Sequence, residues 1–396
     1  MRRVTRPTPV ALAALLVASL AASGAAAAIA PATAHRASST PSAARPAVAQ
    51  GLSAVPWSSI GTGWLLSKWV PHPRAKHPYA FLQLVSPSGA RYVLYRISLF
   101  DQVRDWSGDG QRVLLERMNQ NATTTLRTLD LRTGMVVHSF NVPGFSTSSF
   151  SRPSGLAIFS SVNLATHASQ LTRYSLAGAV QRAFPGAISG LGRWNGWWTM
   201  SPNGTQLAVG YNRGLALLGN DGSLIARLHA PGERDCTPTR WWTPTVILAR
   251  CIIGTTYGKF HLVLFSPAWA RPRALTGYPT GPDLGDLDAW RVDAGVFVQA
   301  SSGCGFGWLG ELHGVTVVPA HVPSFGPPPD NGFAVLGATS TSLALLTANS
   351  CTGQESVAWY TPSTHSVFQV LGPPLSSGTV DQVLLYRSTT STTIGI

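Results

Sequence analysis

Three observations predict an all-β fold, a single β-propeller of about seven four-stranded blades. The chain carries a weak repeat of about 45 residues, and an aromatic–turn–apolar-strand unit recurs at that spacing. No long stretch beyond the N-terminal apolar segment shows the 3.6-residue period of a helix. Composition agrees: 396 residues that are 44% hydrophobic and only 11% charged, with 39 Gly and 29 Pro, suit many short strands separated by turns. The same mix excludes a coiled coil or general disorder.

Two copies of the unit set the pattern. Trp106-Ser107-Gly108-Asp109-Gly110 leads into Gln111-Arg112-Val113-Leu114-Leu115, and Trp198-Thr199-Met200-Ser201-Pro202-Asn203-Gly204 into Thr205-Gln206-Leu207-Ala208-Val209. The turn reverses the inner strand of a blade, and the apolar run fits a strand buried between neighbouring blades. Degenerate copies start at Phe150, Trp242, Trp290 and Ala338, and a first copy begins at Gly63-Trp64-Leu65-Leu66, which makes seven. Second hairpins follow, with turns at Ser86-Pro87-Ser88-Gly89, Asp130 to Gly134 and Gly219 to Gly222. Strand, turn, strand, loop, strand, turn, strand is one blade. The segment Val380 to Arg387 is expected to pair with the N-terminal part of the domain and close the ring, removing two open edges.

The Trp-Ser-x-Asp-Gly turn at Trp106 to Gly110 and the Ser-Pro-Asn-Gly turn at Ser201 to Gly204 resemble the TolB-type propeller repeat. The resemblance spans residues from about 52 to 390. It implies a propeller, often of an envelope protein, and carries over no catalytic residue.

The N-terminus reads as an export signal over residues 1–30. Arg2, Arg3 and Arg6 precede an apolar run from Val10 to Leu20, and small residues offer cleavage sites at Ala26-Ala27-Ala28 or Ala32-Thr33-Ala34. An uncleaved membrane anchor is the alternative, although alanine is a weak membrane residue. Residues 31–50 are rich in Ala, Ser, Pro and Thr and form a linker ahead of the propeller domain at 51–396. Five of the 29 basic residues (Arg2, Arg3, Arg6, Arg36, Arg45) lie in the first 50, so the remainder carries 24 basic against 16 acidic groups, a net charge of +8. These arginines are scattered, which fits an anionic envelope polymer or lipid surface better than nucleic acid. No transmembrane span is expected in the mature chain, which is read as a monomer.

Four cysteines, Cys236, Cys251, Cys304 and Cys351, form an even set in an exported chain, so two disulfides are expected. If Trp242 pairs near Val246, a turn at Thr243 to Thr245 brings Cys236 opposite about residue 252, beside Cys251. Cys304 and Cys351 follow equivalent strands of blades six and seven and form the second expected pair. Zinc lacks both a Cys-x-x-Cys pair and a nearby His.

Trp106, Trp198, Trp242 and Trp290 recur at one blade position and are assigned to packing between blades. Trp194, Trp197, Trp241 and Trp308 are less periodic and are the candidate sugar- or peptide-binding residues. Asp283, Asp286 and Asp288 read as a solvated acidic loop in preference to a calcium site, since the ordered pattern of a calcium loop is missing. The ten His are dispersed, no Ser sits in a Gly-x-Ser-x-Gly elbow, and no residue is assigned a catalytic role. No cofactor or metal is expected. The sequence therefore predicts a binding or scaffold propeller of the cell envelope, with an envelope protein or glycan as partner. The alternative is an envelope lyase or glycoside hydrolase with its site in the central funnel.

Overall fold

The computed structural model describes residues 49–163, 169–253, 259–279, 284–301, 307–325, 331–349, 354–372 and 378–386. The expected signal segment and almost all of the linker lie outside these residues. Seven antiparallel sheets follow one another around a ring, which is the seven-bladed propeller the repeat predicts. Blade two runs from Gln102–Trp106 to Val136–Pro143, blade three from Phe145–Phe150 to Val180–Ala183, and blade four from Gly192–Met200 to Leu224–His229. Blade five runs from Glu233–Thr243 to Arg273–Ala274, blade six from Asp286–Val292 to Thr316–Pro319, and blade seven from Asn331–Ala338 to Ser366–Leu371. Blade four gains a fifth, two-residue strand, Ala187–Ile188.

Blade one is assembled from both ends of the domain. Its inner strand is Thr379–Leu385, followed outward by Leu65–Val70, Ala80–Val85 and Arg91–Ile97. Leu65 faces Leu385 and Val70 faces Thr379, so the last strand closes the ring as expected. The copy read at Gly63 to Leu66 is displaced, because Leu65–Val70 is the second strand of its blade and not the inner one. The aromatic that ends the inner strand is Tyr386. Its N–H donates to the Trp64 carbonyl (2.7 Å), its ring meets Trp106 edge-on, and its hydroxyl donates to the Gly108 carbonyl (2.9 Å).

The second strand of blade one, Leu65–Val70, and the third strand of blade four, Gly214–Gly219, are buried at every residue and so on both faces. The apolar clusters accordingly sit between blades. One joins Leu66, Leu82, Tyr92 and Leu94 of blade one to Trp106, Val113 and Leu129 of blade two. Another joins Leu215 and Leu228 of blade four to Trp241, Ile247 and Phe265 of blade five.

Polar clasps supplement this packing where neighbouring blades meet. The Gln382 side chain accepts from Val103 N (2.6 Å), and the Gln299 side chain accepts from Val335 N (2.9 Å). Between blades two and three, buried Asp105 accepts from Phe150 N (2.8 Å), Ser149 Oγ (3.0 Å) and the Arg152 guanidinium (2.7 Å). Between blades five and six, Arg240 makes a two-pronged pair with Asp288 and lies 4.2 Å over the Trp290 ring.

Two further readings change. Asp286 and Asp288 do not belong to a solvated loop: both lie in the strand Asp286–Val292 and are buried, because Arg240 from the inner strand of blade five and Thr276 from the bend after Arg273–Ala274 satisfy them. Asp283 lies outside the described residues. The expected tryptophan position is also uneven. Trp106 immediately precedes its turn serine, Ser107, whereas in blade four the residue before Ser201 is Met200, with Trp198 two places earlier on the same strand. A register shift between Trp194 and Trp198 accompanies the offset. Trp106, Trp198 and Trp290 are nonetheless buried between blades, and Trp242 packs half-buried against Leu248 and Ala289.

Gly204 shows how tightly the turns nest. Its φ is +72°, and a Cβ there would stand 1.8 Å from the Arg152 carbonyl oxygen of blade three. Gly204→Ala is expected to cost at least about 2 kcal/mol in chemical denaturation, since left-handed strain adds to a backbone clash. Gly232→Ala meets open space at φ +84° and should cost only about 1 kcal/mol. Equal losses would mean that the contact with Arg152 contributes nothing.

Candidate functional site

The up-and-down order gives the ring two unlike faces. First-to-second and third-to-fourth strand connections leave one face, and there they are tight. Ser107 accepts from Gly110 N through its carbonyl (2.9 Å) and from Arg112 N through its hydroxyl (2.9 Å). Ser201 does the same with Gly204 N and Gln206 N, and Ser86 with Gly89 N and Ala90 N. Second-to-third connections and the crossings between blades leave the other, irregular face, and the groups able to bind or react collect there.

At blades four to six the irregular face carries a cluster of titratable side chains. Glu233 begins an inner strand, His261 lies opposite Cys251 on the next strand but one, and Asp286 begins the inner strand of blade six. His261 Nε2 is 2.9 Å from Glu233 Oε1, the Tyr278 hydroxyl donates to the same oxygen (3.5 Å), and the His261 and Tyr278 rings are 4.8 Å apart. Burial pushes the Asp286 carboxyl above its ordinary range, opposed by a hydrogen bond from Thr276 and by His261. The charge on Glu233 raises the Tyr278 hydroxyl. Beneath the cluster lies the disulfide Cys236–Cys251, with a Cα separation of 4.1 Å and both cysteines fully buried. It pins the start of the strand that carries Glu233. His261 is only 2% exposed, so a substrate has no path to its ring; it positions Glu233 and is not placed to move a substrate's proton.

Two clefts open on this face, and both are lined by cations. One, of about 640 Å³ between blades four and five, is bounded by Arg213, His229, Glu233, Arg234 and Asp235. The other, of about 470 Å³ between blades one and two, is bounded by Tyr79, Arg96, Phe100, Asp101, Arg117 and Arg127. Among the described residues no group of three or more His, Cys, Asp or Glu could hold a metal ion, and no helix is long and apolar enough to cross a membrane.

Glu355 is the second residue of the third strand of blade seven, Gln354–Thr361, which packs beside the inner strand of blade one. Burial first, and the neighbouring charge of Asp381 second, raise its carboxyl to about 7. The folded protein therefore holds a proton that the unfolded chain releases at an ordinary carboxylate value. The stability this supplies is complete below about pH 4.5 and is lost as pH rises through 7. Glu355→Gln should raise stability by roughly 1–3 kcal/mol at pH 8 and little at pH 4. Parallel stability–pH curves for the two proteins would contradict this.

The four candidate tryptophans are not gathered at one place. Trp194 is buried in the core of blades three and four, and its Nε1 donates to the Trp197 carbonyl (3.0 Å). Trp197 is half-buried against the Arg250 guanidinium at 5.3 Å, which Phe260 flanks from 5.2 Å. Trp241 is buried, with an edge on a cleft of about 390 Å³ at the tight-turn face, and Trp308 is half-buried on blade six. Cys304 and Cys351 lie outside the described residues. Glu233, His261, Arg250 and the arginines of blades one and two were not singled out from sequence. The hairpin register that pairs Cys236 with Cys251, carried one strand further, would have flagged His261.

The propeller class is thus defined by the fold, and comparison with solved structures agrees. The β-propeller domain of the Trilobed protease from Pyrococcus furiosus matches with a TM-score of 0.50 and 10% identity, over 79% of this chain and 95% of that one. Oligopeptidase B from Leishmania major matches with a TM-score of 0.50 and 11% identity over 79% of this chain, which spans 50% of its length. A putative TolB from Agrobacterium tumefaciens matches with a TM-score of 0.38 and 12% identity, over 83% of this chain and all of that one. At these identities the likeness shows the fold alone. No family model and no curated protein matches the sequence.

Proposed function

We propose that the protein is an exported binding propeller that engages an anionic partner in the cell envelope through its irregular face. The observation that carries this reading is that the cleft between blades one and two sets three arginines, Arg96, Arg117 and Arg127, against the one carboxylate of Asp101, while Arg213 and Arg234 stand beside Glu233 and Asp235 in the cleft between blades four and five. Arg96, Arg213 and Arg234 have no ion-pair partner among the described residues. Exposed Phe100 lines the first cleft and exposed Tyr278 reaches Glu233 of the second, while Met118, Phe145 and Leu284 stand exposed at strand ends and crossings of the same face. Exposed apolar surface is costly to leave in water, and aromatic side chains next to arginines free of ion pairs are what a recognition surface needs.

A photo-crosslinking residue placed at Phe100 or Tyr278 in the native host should yield adducts that are missing when it is placed at Asp109 or Asn203 on the tight-turn face. Adducts from the tight-turn positions alone would reverse the assignment. The export part of the reading has its own test. Mass spectrometry of the native protein should find an N-terminus between about Ala26 and His35. A chain still starting at Met1 would remove it.

A further inference from the structure

Charge is distributed unevenly along this chain. Asp101 is its first acidic residue; everything before it is basic or neutral. In the fold this places five basic residues on blade one (Lys68, Arg74, Lys76, Arg91 and Arg96) against the one carboxylate of Asp381, which pairs with Lys68 at 2.5 Å. Arg74 and Lys76 sit exposed in the connection that precedes Tyr79, on the irregular face.

The cleft between blades one and two lies at the foot of that connection and has the features of a prepared site. Asp101 is 2% exposed and receives both Arg117 (2.7 Å) and Arg127, so two guanidiniums share one carboxylate. Buried Arg127 Nε has no hydrogen-bond partner. Arg96 stacks 4.5 Å over the Tyr79 ring and meets no carboxylate among the described residues. Three guanidiniums therefore face one saturated carboxylate. At the lip, Phe100 is 79% exposed on a loop that is held rigidly. Lys68 Nζ donates to the Leu99 carbonyl (2.6 Å), Ser98 N to Asp101 Oδ2 (3.3 Å), and Phe100 N to Ser98 Oγ (3.2 Å). An aromatic side chain displayed by a locked loop loses little freedom when it is covered.

We propose that this cleft binds an acidic peptide segment whose carboxylates alternate with large apolar side chains, the carboxylates pairing with Arg96 and the Arg117–Arg127 pair and an apolar side chain covering Phe100. Guanidinium forks match carboxylates in a two-pronged geometry. Leu115, Leu129 and Val136 give the cleft apolar walls suited to a hydrocarbon side chain. A glycan fits less well: its hydroxyls need acceptors as well as donors, and the cleft's one carboxylate is already saturated. The inference rests on the irregular face being the binding face and adds the place and the chemistry.

Isothermal titration of the full mature chain with the peptide Glu-Asp-Leu-Glu-Asp-Leu, its Gln/Asn counterpart, and an oligogalacturonate of equal charge tests it. The acidic peptide should bind, more weakly as salt rises, and the amide counterpart should not. Arg96→Gln and Phe100→Ala, both at exposed positions, should each weaken binding about tenfold. Arg234→Gln, in the other cleft, should leave it unchanged. Binding unaffected by Arg96→Gln and Phe100→Ala, preference for the oligogalacturonate, or no binding by any probe would each overturn the proposal. Crosslinks from Tyr278 that survive Arg96→Gln would then show that the face is correct and only this cleft is misassigned.

Discussion

Replacing Asp105 with alanine is expected to destabilise the protein by about 3–5 kcal/mol, the largest loss of any single substitution considered for this chain. The carboxylate is 9% exposed and accepts from Trp106 N within its own blade and from Ser149 Oγ, Phe150 N and Arg152 across the boundary to blade three. Arg152 is itself 6% exposed. Removing Asp105 leaves a buried cation whose remaining contact is the Trp106 carbonyl at 3.2 Å, and two buried amide donors lose an acceptor. Desolvation of the uncompensated guanidinium is the dominant cost. A second substitution that removes it, Arg152→Met, should therefore recover a large part of the loss. Equilibrium denaturation of the two single variants and the double variant measures the coupling. Additive losses would show that Asp105 acts through its amide bonds and not through Arg152.

Breaking the disulfide Cys236–Cys251 ranks second. The bridge closes a loop of 15 residues, for which chain entropy predicts a loss of about 3 kcal/mol when both cysteines become alanine. The effect should be concentrated in blade five. Glu233, held at the start of the bridged strand, would lose its fixed position against His261, so hydrogen exchange should accelerate in Glu233–Thr243 before other inner strands. Non-reducing peptide mapping should recover Cys236 joined to Cys251, and the same digest tests the expected Cys304–Cys351 bridge. Cys236 joined to either of the other two would contradict the register of blade five. Uniform exchange across all blades in the double variant would assign the bridge a global role.

What could be read from the sequence was local. The Ser107 and Ser201 turns are written in residues whose side chains bond to backbone groups two to five positions away, so their chemistry travels with the sequence. The Cys236–Cys251 bridge was legible because a hairpin with a short turn leaves little freedom of register. Bulges between Arg234 and Thr237 and between Trp241 and Thr243 alter the pairing along the way, yet Cys236 still falls between residues that face Ile252 and Arg250. Closure of the ring was legible too, since an unpaired terminal strand would expose two sheet edges.

The tertiary structure alone decided what depends on distant partners. Asp286 and Asp288 look solvated in sequence because carboxylates usually are; they are buried because Arg240, 48 positions before Asp288, and Thr276 come to meet them. Trp64 looked like an inner-strand anchor until Tyr386, from the far end of the chain, took that place in its blade. The cationic cleft is of the same kind. Arg96, Asp101, Arg117 and Arg127 show no pattern along the chain, and only the docking of blade one against blade two sets three guanidiniums around one carboxylate. Backbone turns depend on neighbours in sequence, whereas the excess of charge in a cleft depends on which blades touch.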